Sequence, residues 1–147
     1  TMRSTLAVLG LVLGTSAAWA GGPETLAYWA KVNEMLTQAD RFRSNYVDST
    51  TPEMRRDQLC RDLLALPTEG VDRDVLALVR QLVAYAPVKA KADAVKRWYH
   101  FTGYGLAKEI TQAFACRAAL AAEAVRVQKE CEERYGVSFP AFHLPNW

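Results

Sequence analysis

The chain has 147 residues, 18 basic against 16 acidic, and half of them are apolar. That composition excludes a disordered chain, and a net charge near zero excludes the broad basic footprint on which nucleic-acid binding depends. With 23 alanines and 16 leucines against one isoleucine, the apolar residues favour helix over strand, so the expected fold is all-α, in one domain.

Met2-Arg3 opens a short positive region, Leu6 to Leu13 is an apolar stretch broken by Gly10, and Ala18-Trp19-Ala20 places small residues where a signal peptidase reads. Residues 1–20 are therefore expected to be a signal peptide, cleaved to leave Gly21 first and to deliver a periplasmic or secreted protein. A retained anchor is the alternative. The stretch from Leu6 to Ala20 is shorter than the roughly 20 apolar residues that cross a bilayer, so no stable membrane span is expected after cleavage.

Residues 21–136 read as a helical bundle. Pro23 suits a first helical turn, and Leu26, Trp29, Val32, Leu36, Ala39, Phe42 and Tyr46 recur at spacings of three and four, which places them on one stripe of a first helix. A threonine caps the second helix, with Thr50 and Glu53 at capping-box spacing, and Met54, Leu59, Leu63 and Leu66 carry it to Pro67. Pro67-Thr68-Glu69-Gly70 is a turn. Asp72 then caps a third helix, flanked by Val71 and Leu76 at the positions of a hydrophobic staple. Pro87 either kinks that helix or ends it; no glycine or capping side chain flanks it, so a kink is expected, with the reversal at Gly103-Tyr104-Gly105. The fourth helix runs from about Leu106 to Tyr135 and closes on Gly136. The result is an up-down four-helix bundle, two shorter helices packed on a long antiparallel hairpin.

Residues 137–147 hold two prolines and three aromatic residues and cannot continue a helix. Burying Phe139, Phe142, Leu144 and Trp147 is worth several kcal/mol, which favours a tail folded back on the helices over a free segment that docks into another protein.

Leu66-Pro67-Thr68-Glu69-Gly70-Val71-Asp72 and Arg134-Tyr135-Gly136-Val137-Ser138-Phe139-Pro140 together resemble an uncharacterised family of small exported helical proteins, mainly of planctomycete-type bacteria. The resemblance spans about residues 66–140. It implies a long helical hairpin after the Gly-Val-Asp cap and carries no activity, cofactor or partner with it.

Three cysteines in an exported chain raise the question of pairing. If the second and fourth helices run in the same direction, Cys60 and Cys131 fall at about the same height, whereas Cys116 stands about 22 Å from Cys131 along one helix. A Cys60–Cys131 bridge with Cys116 as a free thiol is therefore expected; three buried thiols acting as small hydrophobes are the competing arrangement. No Cys-x-x-Cys or closely spaced Cys/His pair suggests a metal.

Trp98, Tyr99, Phe101, Tyr104 and Phe114 surround the expected reversal. Core statistics favour their being covered by Trp29, Leu26 or the kinked helix; left uncovered, they form a contact patch for a protein partner, a second copy or a membrane surface. The basic residues Arg55, Arg56, Arg61, Lys89, Lys91, Lys96 and Arg97 are interleaved with Asp57, Asp62 and Asp93 and read as solvated faces, with weak attraction to anionic lipid or cell-wall polymers as the alternative. No nucleophile setting or catalytic carboxylate pair stands out, and no cofactor is expected. The expected function is thus a non-catalytic binding or scaffold protein of the cell envelope. Two alternatives stay open: a bundle holding a small apolar ligand or haem, through His100 and a methionine such as Met35 or Met54, and an enzyme without a recognisable motif.

Overall fold

The structure, a computed structural model, describes residues 20–41, 51–102 and 108–147, with the backbone alone for 98–102. It is all-α among the described residues: α1 (Gly22–Arg41), α2 (Pro52–Leu64), α3 (Arg73–Thr102) and α4 (Lys108–Tyr135), followed by an irregular tail. The expected signal peptide, Phe42 and Tyr46 at the end of the first stripe, Thr50, and the Gly103–Gly105 reversal lie outside the described residues.

The helix ends follow from local chemistry. Thr51, one residue after the expected capping-box threonine, caps α2 by accepting a hydrogen bond from the Met54 amide at 3.2 Å, and Pro52 follows it in the first turn. Asp72 caps α3 as expected, its Oδ1 accepting from the Asp74 amide at 2.9 Å, with Val71 and Leu76 both packed against the core. Gly136, at φ +68°, closes α4 with its amide donating to Glu132 O at 2.9 Å.

Helix α3 continues through Pro87, in agreement with the reading of one long helix, so proline here removes a backbone bond without ending the element. Helices α3 and α4 form the long hairpin. Helix α2 packs on α1 and α3, and has no comparable contact with α4.

The apolar side chains divide into two cores of unequal size. The larger joins Trp29, Val32 and Leu36 of α1, Leu59 and Leu63 of α2, Val75, Leu78, Val79 and Leu82 of α3, and Leu120, Ala124, Val127 and Cys131 of α4, all buried, with Phe139 from the tail. The smaller consists of Ala92, Ile110 and Ala113, flanked by Val88 and Val95, between the distal halves of α3 and α4.

The tail folds back, as its apolar content predicted. The ring of Trp29 is fully buried between Phe139 and Phe142, which approach it edge-on at centroid distances of 5.5 and 5.3 Å. Trp29 thus packs against the tail.

The predicted Cys60–Cys131 bridge is not present: all three cysteines are free thiols, and none lies at disulfide distance from another. The two residues belong to helices that are not principal neighbours. Cys131 is sealed in the large core and Cys60 is buried on α2, while Cys116 is exposed. Burial pushes both buried thiols up, Cys131 to about 11 with the Asp72 charge adding to the effect, which keeps them protonated and unreactive at neutral pH.

Candidate functional site

Helix α1 presents Asn33 and Asp40, two turns apart on one face, and both are spent on the backbone of the tail. Asn33 Nδ2 donates to Ala141 O at 2.9 Å while its Oδ1 accepts from the His143 amide at 2.9 Å. Asp40 Oδ1 accepts from the Asn146 amide at 2.9 Å, and its Oδ2 meets His143 Nε2 at 2.5 Å. Trp29 Nε1 donates to Pro140 O at 2.7 Å. From the other side, α4 contributes Gln128, which donates to Phe139 O at 2.9 Å, and Arg117, which donates to Pro145 O at 2.8 Å. A segment without regular structure has its polar backbone groups satisfied by side chains of two helices, as burial requires.

These bonds carry the tail across the bundle and deliver Trp147 to α3 and α2. Its indole stacks on Tyr85, with centroids 6.2 Å apart and planes at 14°, and the Arg56 guanidinium stands 5.9 Å from its centroid. Arg56 is buried at 8% exposure and is held by Asp93, at 3.2 Å from Nη2, and by Ala86 O, at 3.5 Å from Nη1. Among the described residues its Nε has no hydrogen-bond partner. Lys89 Nζ lies 2.7 Å from the other oxygen of Asp93. Burial pushes the Asp93 carboxyl up, but the bonds from Lys89 and Arg56 outweigh it and hold the group below its ordinary value.

Trp147 stands in the walls of two clefts. The larger, about 680 Å³, opens between the end of α1 and the start of α2; Met35, Asp40, Arg55, Arg56, Asp62 and Asp93 line it, so both signs of charge face it. The smaller, about 300 Å³, lies between α3 and α4 over the small core. Ala92, Ile110 and Ala113 form its apolar floor, Tyr85, Phe114 and Trp147 its aromatic walls, and Lys89, Lys96 and Arg117 also line it. Both volumes fall in the range typical of small-molecule sites.

A second polar cluster lies at the opposite end. Asp72, at 8% exposure, accepts from Tyr135 Oη and from Arg134, while its own amide donates to Thr25 Oγ1 at 3.0 Å. Thr25, fully buried, donates to Gly21 O at 2.6 Å. Burial pushes the Asp72 carboxyl up, but Tyr135, Arg134 and the Asp74 amide outweigh it and leave the group below its ordinary value. Burial, followed by the bond to Asp72, raises Tyr135. This cluster ties α1, α3 and α4 together and borders neither cleft.

Of the residues singled out in the sequence, Phe114 is exposed and lines the smaller cleft. The side chains of Trp98, Tyr99, His100 and Phe101, and the whole of Tyr104, lie outside the described residues. Met35 borders the larger cleft and Met54 is exposed on α2. Among the described residues no group of three or more His, Cys, Asp or Glu side chains is placed to hold a metal ion. No helix among them is long and apolar enough to cross a membrane. Sequence reasoning missed Asn33, Asp40 and Tyr85; the signal available was the pair of short polar residues seven apart beside the Trp29 stripe. No family model, characterised protein or solved structure matches the chain.

Proposed function

We propose that this chain is an exported, non-catalytic binding protein whose ligand is a small molecule with an apolar body, held where Trp147 meets the two clefts. The observation that carries the reading is the placement of one indole, anchored by Tyr85 and Arg56, in the walls of both cavities. An aromatic wall, an apolar floor and a few convergent charges are the ingredients of a recognition site. The polar clusters near it are spent on ion pairs and backbone bonds, which suits binding better than proton transfer.

Titration of the full chain with three eight-carbon amphiphiles, octanol, octanoate and octylammonium, tests the binding reading by calorimetry and native mass spectrometry. Saturable binding of at least one, at one molecule per chain and weakened tenfold or more in Trp147→Ala, supports it. Absence of saturable binding by all three, or binding indifferent to Trp147, overturns it. For export, N-terminal sequencing of protein from the native host is expected to begin at Gly21, and recovery of intact Met2 in the membrane fraction would reject cleavage.

A further inference from the structure

The two clefts differ in charge. The larger is bordered by Asp40, Asp62 and Asp93 as well as by Arg55, Arg56 and Lys89, so its charges balance. No acidic side chain lines the smaller among the described residues, whereas Lys89, Lys96 and Arg117 all do. Two of those cations have partners already: Lys89 pairs with Asp93, and Arg117 donates to the Pro145 carbonyl, which leaves its charge uncancelled. Lys96 is exposed and makes no ion pair among the described residues. Beneath this positive rim the floor is aliphatic, and Phe114, 63% exposed, turns a large ring towards solvent beside it. A positive rim over an aliphatic floor and beside an exposed aromatic ring is complementary to an amphiphile with a negative head.

Resting on the binding role given above, we propose that the smaller cleft is a site for a monoanionic amphiphile, a carboxylate on a short aliphatic or aromatic body. The head lies at the rim against Lys96 and Arg117, and the body lies on Ala92, Ile110 and Ala113 between Phe114 and Trp147. The volume of about 300 Å³ sets the size, being about twice the roughly 150 Å³ of a cavity that takes benzene. A body of eight or so carbons fits, and a long acyl chain does not. Arg117 has a further role, because the hydrogen bond it gives to the Pro145 carbonyl also fixes the tail that carries the Trp147 wall.

The three eight-carbon amphiphiles separate this proposal from the more general one. The expected order is octanoate first, octanol at least fivefold weaker, and octylammonium weakest. Lys96→Gln, at an exposed position that leaves the fold intact, is expected to weaken octanoate about three- to fivefold and octanol not at all, and Lys96→Arg to restore it. Phe114→Ala is expected to weaken octanoate and octanol alike. Raising salt from 50 to 500 mM is expected to lower octanoate affinity and leave octanol unchanged. Trp147-dependent binding that prefers octanol or octylammonium, or that ignores Lys96, overturns the anionic site while the binding role stands. Failure of all three ligands overturns both. Association with phosphatidylglycerol vesicles without saturable binding of soluble octanoate also overturns the site, in favour of a membrane surface.

Discussion

The two ends of this bundle are held by different means. At the end where α2 turns into α3, the start of α1, the end of α4 and the tail converge, and Thr25, Asp72, Arg134 and Tyr135 share hydrogen bonds above a core drawn from five segments. In the distal half of the hairpin the described core is Ala92, Ile110 and Ala113, and an open cleft lies over it. The larger core forms where many elements meet, and the smaller cleft lies where two helices pack with little between them. Sites of recognition are commonly drawn from the less packed part of a fold, because a ligand needs surface that the core has not consumed.

Two phenylalanines state this contrast in its sharpest form. Phe139→Ala removes a ring at 4% exposure that packs on Trp29, and is expected to cost about 3–5 kcal/mol in chemical denaturation. A loss below about 1 kcal/mol would show that the tail is dispensable. Asp72→Asn is expected to cost about 1–2 kcal/mol at neutral pH, because the cap acceptor is retained while the charge facing Tyr135 and Arg134 is lost. Asp72 is held below its ordinary value, so its contribution is present above an unfolded-state value of about 3.9 and is lost as pH falls through the folded value. Wild-type stability is therefore expected to fall more steeply than that of Asp72→Asn as pH drops from 5 towards 2; parallel curves would remove Asp72 from the account. Gly136→Ala meets no neighbour within 4 Å but must adopt φ +68°, for an expected loss of about 1 kcal/mol in the same assay. At the other end, Phe114→Ala is expected to change stability by less than about 0.5 kcal/mol, its ring being largely in solvent.

The helices and their caps were legible because the signals are local. Asp72, Gly136 and the turn before α3 act within a few residues of themselves, and apolar spacing alone places Trp29, Val32 and Leu36 on one buried face. The site was less legible because it depends on order around the bundle axis, which spacing does not encode. Helical rise predicts one height for Cys60 and Cys131 but says nothing of which helices are neighbours, and the predicted bridge is absent. In the same way the cleft walls bring together Tyr85, Lys96, Phe114 and Trp147, residues that no motif connects. Thiol titration with Ellman's reagent checks the cysteine assignment: one fast thiol, Cys116, is expected in the native protein, and three after denaturation. Two fast thiols, or one thiol after denaturation without reductant, would contradict it.

The bond from Trp29 to Pro140 joins residues 111 positions apart. A ribosome releases α1 long before the segment that covers its indole, so a growing chain carries that ring bare until residues 139–142 follow. The α3–α4 hairpin, built from two helices consecutive in the chain, is free to assemble earlier. Closure by residues 139–142 therefore comes late: a chain that lacks them keeps an uncovered tryptophan, the kind of exposed apolar surface that chaperones and proteases recognise.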